Sequence, residues 1–117
     1  MIELPYPPNG CWPNRAVRMH WRAKAADKKR ARDDATWTMK GYLAAIGGAV
    51  GDPPARLCFT FRPKTRRAPD RDNCVASIKS YQDGICIALG IDDAALDTPK
   101  IIIGEPIKGG AVIVEVE

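Results

Sequence analysis

The chain has 117 residues, 45% of them hydrophobic and 27% charged, with a formal net charge of +4. That length fits a single domain, residues 1–117, with a modest core, and the composition excludes a disordered chain. No apolar run approaches the roughly 20 residues needed to span a bilayer. The opening Met1-Ile2-Glu3-Leu4-Pro5 has neither the basic nor the apolar region of a signal peptide, so a cytoplasmic protein with no membrane partner is expected.

Charge is unevenly placed. Residues 1–71 carry 15 Lys/Arg against 6 Asp/Glu (+9), and residues 72–117 carry 3 against 8 (−5). Such asymmetry points to one surface that meets a polyanion such as nucleic acid, the alternative being a solvated helix face. The cysteines Cys11, Cys58, Cys74 and Cys86 form no C-x-x-C pair, and only His20 is left to complete a mixed zinc site. Reduced, mostly buried thiols are expected.

In chain order, Ile2 to Leu4 reads as a short strand ending at Pro5. Pro5 to Pro13, with four prolines and Asn9-Gly10, is an irregular loop. Asn14 to His20 carries Arg15 and Arg18. From about Trp21 to Ile46 the pattern is helical, with Ala31, Ala35, Met39, Tyr42 and Ile46 forming one apolar stripe that ends at Gly47-Gly48. The first half of this helix is basic: Arg22, Lys24, Lys28, Lys29, Arg30 and Arg32 are opposed only by Asp27.

Asp52-Pro53-Pro54 reads as a linker turn, and Arg56 to Arg62 as a strand with Leu57, Phe59 and Phe61 on one face. After a basic loop, Pro63 to Arg71, a second helix runs from about Asp72 or Asn73 to Leu89, with Val75, Ile78, Ile85 and Leu89 as its buried face. Gly90 fits the position that terminates it. Ile91 to Asp97 is a connector, Lys100 to Glu105 a strand, Lys108-Gly109-Gly110 a hairpin turn, and Ala111 to Glu117 the last strand. The order β-α-β-α-β-β argues an α+β fold with a small mixed sheet packed against two main helices.

The chemistry concentrates in Arg66-Arg67-Ala68-Pro69-Asp70-Arg71-Asp72-Asn73. In an extended segment, side chains at i and i+2 project to one side, so Asp70 and Asp72 can reach one cation. Asp72 or Asn73 also stands where a helix N-cap belongs, a role compatible with metal binding because a carboxylate has two oxygens. Farther along, Asp72, Ala76, Lys79 and Asp83 share a helical face; Lys79 and Asp83 are an i,i+4 pair or, alternatively, Lys79 offsets transition-state charge. A third acid would come from Asp92-Asp93, if the chain folds back along the helix. Converging carboxylates suit Mg²⁺, which keeps positions for water and phosphate. Arginines beside such a site suggest an anionic substrate, and metal with polyanion points to phosphoryl chemistry.

Three elements in order resemble the RusA-type Holliday junction resolvases: Leu4-Pro5-Tyr6-Pro7-Pro8-Asn9, the Arg66-Arg67 to Asp70-Arg71-Asp72-Asn73 run, and Leu89-Gly90-Ile91-Asp92-Asp93. The resemblance covers almost the whole chain. It implies a RusA-like homodimer, of the kind found in phages and prophages, that binds four-way DNA junctions and makes paired symmetric nicks in recombination and repair. It implies Mg²⁺, with Mn²⁺ as a substitute, and no organic cofactor. Asp70, Asp72 and Asp93 would be the catalytic, metal-binding acids and Lys79 the catalytic lysine. The expected DNA-contacting residues are Asn9, Trp12, Arg15, Arg18, Lys64, Arg66, Arg67, Arg71 and Asn73. Two departures stand out: the family's lysine lies four residues after the second acid, where this chain has Ala76, and Gly10-Cys11-Trp12 replaces more polar residues. The competing readings are a non-catalytic DNA-binding module and a metal-dependent nuclease of broader specificity.

Overall fold

The computed structural model of the chain describes residues 1–48 and 54–117. Apart from Pro54, the linker turn expected at Asp52-Pro53-Pro54 lies outside the described residues. The principal elements are β1 (Ile2–Pro5), α1 (Pro13–Ala16), α2 (Trp21–Ala45), β2 (Leu57–Arg62), α3 (Arg71–Ser77), α4 (Lys79–Leu89), β3 (Lys100–Ile103) and β4 (Ala111–Val116). This is an α+β fold with a small mixed sheet. No described helix is long and apolar enough to cross a membrane.

The strands lie in the order β1-β4-β2-β3. β4 is antiparallel to both β1 and β2, while β2 and β3 are parallel with Cys58 opposite Lys100 and Phe61 opposite Ile103. Parallel neighbours need a long crossover, and α3 and α4 supply it. The expected hairpin at Lys108-Gly109-Gly110 is therefore corrected: the turn forms, with Gly109 and Gly110 at φ +83° and +70°, but it does not join paired strands. Beyond β3 the chain still follows β2, with Gly104 N–H donating to Phe61 O and Ile107 N–H to Pro63 O. It then crosses the end of β2 and returns on that strand's other side as β4.

Alternation along the strands turns Leu4, Leu57, Phe59, Phe61, Val112 and Val114 to one face, all fully buried. Against that face pack Ala31, Ala35 and Met39 of α2 and Ile78, Tyr81 and Ile85 of the crossover. Each large apolar side chain so buried contributes about 1.5–3 kcal/mol. The two long helices approach closely at Gly84, where an added Cβ would meet Arg32 O, Ala35 Cβ at 2.9 Å and Thr36 Oγ1 at 3.0 Å. Thr36 Oγ1 bridges that contact by donating within reach of both Arg32 O (2.8 Å) and Gly84 O (3.1 Å).

The second helix departs from its sequence reading in three ways. Asp70, not Asp72 or Asn73, is its N-cap. It breaks at Ile78, which ends α3 and precedes α4; Ser77 Oγ donates back to Cys74 O at 2.8 Å, a bond that bends helices. Its buried stripe is Cys74, Ser77, Ile78, Tyr81 and Ile85, whereas Val75 is 38% exposed. Gly90 does terminate α4, at φ +71° and ψ +30°.

Candidate metal and nucleic-acid site

Asp70 precedes α3 in extended conformation (φ −64°, ψ 134°), and its Oδ1 accepts the backbone N–H of Asp72 at 2.8 Å. The two acids thus occupy the N-cap and the first turn of α3, a position that favours negative charge, and both are exposed. They stand after the C-terminal end of β2, one of the two parallel strands, where open α/β sheets commonly place ligands. Arg71 is spoken for locally: its Nη1 donates to Ile101 O at 2.7 Å and ties the start of α3 to the edge strand β3.

Asp70 opens onto a cleft of about 680 Å³ whose lining includes Tyr6, Trp12, Asn14, Arg15, Lys64, Thr65, Arg67 and Asn73. Of the residues named from the sequence, Trp12, Arg15, Lys64, Arg67, Asp70 and Asn73 therefore meet in one place. Asn9 is joined indirectly, its Oδ1 accepting from Arg15 Nη1 at 3.1 Å. Arg18 and Arg66 are exposed but do not line the cleft.

Trp12 is 4% exposed. Its indole N–H donates to Pro7 O at 2.9 Å, and its ring stacks on Tyr6 (5.3 Å) and meets Phe61 edge-on (5.9 Å). It is floor, not contact surface. Tyr6 and Asn14 were not singled out from the sequence; the one available signal was an aromatic ring set among Pro5, Pro7 and Pro8. Lys64 Nζ sits 5.6 Å over the Tyr6 ring. Burial pushes the Tyr6 hydroxyl up, the Cys74 thiol adds to this, and Arg15 opposes it.

Asp93 lies elsewhere. It opens a short 3-10 turn, Asp93–Ala95, beyond the far end of α4, and α4 alone spans about 16 Å. The chain does run back alongside the helix, but the returning strand begins only at Lys100, after Asp93 has been left behind. Its neighbours are acids and a thiol. Asp83 is pushed up by burial and then by Asp93, and is held down by Lys79 and Arg32. Cys86 is pushed up to about 11 by burial, with Asp93, Asp83 and Asp92 adding to it. Lys79 is exposed at the start of α4.

Among the described residues no group of three or more His, Cys, Asp or Glu side chains is placed to hold a metal ion. The Asp70–Asp72 pair by itself fits Mg²⁺ in donor chemistry, because that ion is commonly held by one or two carboxylates with water and phosphate oxygens completing its shell. The cap uses only one oxygen of Asp70. The four cysteines are free and buried.

The chain matches no family model. It is similar to an uncharacterized protein of Xylella fastidiosa (strain Temecula1 / ATCC 700964), 32% identical over 123 aligned positions that cover 98% of this chain and 74% of that protein.

Proposed function

The chain belongs to one family with that Xylella fastidiosa protein, and we propose that it is a Mg²⁺-dependent, structure-selective endodeoxyribonuclease of RusA type that nicks four-way DNA junctions. The observation that carries the reading is Asp70 on the wall of a cleft lined by Arg15, Lys64 and Arg67, with Asp72 two residues on in the first turn of α3. Two hard carboxylates supply a cation's ligands, and three cations beside them supply a bed for phosphates.

Asp70, through the oxygen the cap leaves free, and Asp72 would hold the ion. When bound, Mg²⁺ supplies an activated water and neutralises charge on a phosphodiester. The other roles fall to the chain. Arg67 and Lys64 hold the phosphate backbone against the cleft; Arg15, fixed by Asn9, flanks it from α1. The Asp70–Asp72 cap and the Arg71–Ile101 bond set the acids on a fixed helix start.

A centre using three acids has to take Asp93 from a second copy, since one chain holds Asp93 at the far end of α4. That gives the homodimer a chemical purpose besides matching the symmetry of paired cuts. The non-catalytic reading draws its support from the same separation: if Asp93 never reaches the pair, the acids cap and the arginines bind.

Incubation with a synthetic four-way junction and a linear duplex, with Mg²⁺ and with EDTA, separates the two. The nuclease reading requires Mg²⁺-dependent nicks near the branch point. Tight junction binding with no nicks under any divalent ion leaves the binding module.

A further inference from the structure

We infer that Trp21 is a stacking platform for an unpaired base of a nucleic-acid strand entering the cleft past α1, an inference that rests on the nucleic-acid reading above. Tryptophan is among the residues folding buries most effectively, yet Trp21 is 65% exposed at the first position of α2. Two neighbouring side chains lie near its ring. The His20 ring lies 5.7 Å away at 30°, and the Arg22 guanidinium lies 5.2 Å over the indole. His20 is itself fixed, because its Nδ1 accepts the Arg22 backbone N–H at 3.1 Å as the N-cap of α2. An exposed indole on an ordered helix start is a preformed surface, so little order is lost on binding.

Its surroundings select the partner. Between Arg15 on the cleft wall and Lys24 on α2 the chain carries Arg15, Arg18, Arg22 and Lys24 and no acid. The first acid after them, Asp27, is engaged by Gly10 N–H at 2.8 Å and by Arg30 at 3.3 Å. A cationic path interrupted by an aromatic face is how proteins grip single strands, phosphates on the cations and a base on the ring. Trp37 is the contrast. It is 71% exposed and has Lys40 5.1 Å over its ring, but it lies about 24 Å farther along α2 and one turn from Asp33 and Asp34. A base stacking on Trp21 takes the face that Arg22 shields, freeing that guanidinium for a phosphate.

The test is binding, by fluorescence anisotropy with EDTA present, of a forked DNA with an unpaired arm and of a fully paired duplex of equal length. Trp21→Ala should weaken the fork by about 5- to 150-fold and the duplex by less than about threefold. Trp21→Phe should keep most of the fork affinity, and Trp37→Ala should keep all of it. In a Trp37→Phe background, fork binding should quench emission, and adding Trp21→Ala should remove that quenching and leave only the signal of Trp12. Equal losses on both DNAs, or no loss from Trp21→Ala, overturn the platform while leaving the nucleic-acid reading in place. Wild-type protein that binds neither of these DNAs nor a four-way junction overturns both.

Discussion

Oδ1 of Asp70 accepts the backbone N–H of Asp72 at 2.8 Å, so the acid pair proposed to hold a cation is also the cap that starts α3. The two roles separate by substitution. Asp70→Asn keeps a capping oxygen, so stability should change by less than about 0.5 kcal/mol while Mg²⁺-dependent nicking is lost. Asp70→Ala should lose nicking and also about 1 kcal/mol of stability. Junction cleavage and urea unfolding on both variants check this; an Asn variant that still nicks removes Asp70 from the centre.

Because Asp93 is carried beyond the end of α4, a three-acid centre in the proposed homodimer would be shared between copies, and mixing reports it. Asp72→Asn and Asp93→Asn chains, each inactive alone, should recover activity when unfolded and refolded together. Half the dimers are then mixed, and each mixed dimer regains one of two sites, so nicking should return to about a quarter of wild type. The cuts should be single and not paired. No recovery in a mixture shown to contain mixed dimers overturns the shared centre.

Arg67 lines the cleft, whereas Arg71 is tied to Ile101 O, so the two should behave differently. Arg67→Ala should weaken DNA binding uniformly across sequences and reduce the slope of log affinity against log salt by about one contact. Arg71→Ala should mainly loosen the start of α3. Salt titrations of both variants read the difference, and an unchanged slope for Arg67→Ala takes it out of the interface.

How far the sequence reached follows from which signals are local. Ala31, Ala35 and Met39 share one helical face and are buried, as their spacing predicted, but Ile46, the last residue of that stripe, lies past the helix end and is 45% exposed; the Leu57–Phe59–Phe61 alternation is realised. Gly90 ends α4 because the left-handed turn there favours glycine. The placement of β4 between β1 and β2 was not legible, since nothing in residues 108–110 records that β2 will lie between the strands on either side. Nor was Trp12's burial: its site depends on Tyr6, Pro7 and Phe61 meeting in space. Lys64, Arg67, Asp70 and Asp72 could be found because they are neighbours in sequence, whereas Arg15 reaches the same cleft from α1. The position of Asp93 depended on where the returning strand begins, which periodicity does not fix.

Burial pushes all four thiols up, Cys74 and Cys86 to about 11. A thiol that holds its proton to higher pH in the folded chain than in the unfolded one adds stability below the ordinary thiol value of 9.0, and that stability is lost as pH rises toward about 11. Urea midpoints should therefore be level from neutral pH to 9.0 and fall steeply between 9.0 and about 11. At neutral pH the folded protein should react slowly with a thiol reagent, and all four cysteines quickly once urea is added. Rapid labelling of the native protein would contradict the burial.

Gly84 is the contact on which the two long helices close. Any side chain there runs into the backbone carbonyl of Arg32 as well as Ala35 Cβ and Thr36 Oγ1, and a carbonyl inside α2 cannot swing aside as a side-chain tip does. Gly84→Ala should therefore destabilise by at least about 1–3 kcal/mol, although alanine is the better helix former by about 1 kcal/mol. Gly41, on α2 with open space around it, is the internal control: Gly41→Ala should raise stability by up to about 1 kcal/mol. Urea unfolding of the pair measures both. If Gly84→Ala matches Gly41→Ala, then α2 and α4 do not pack at this distance.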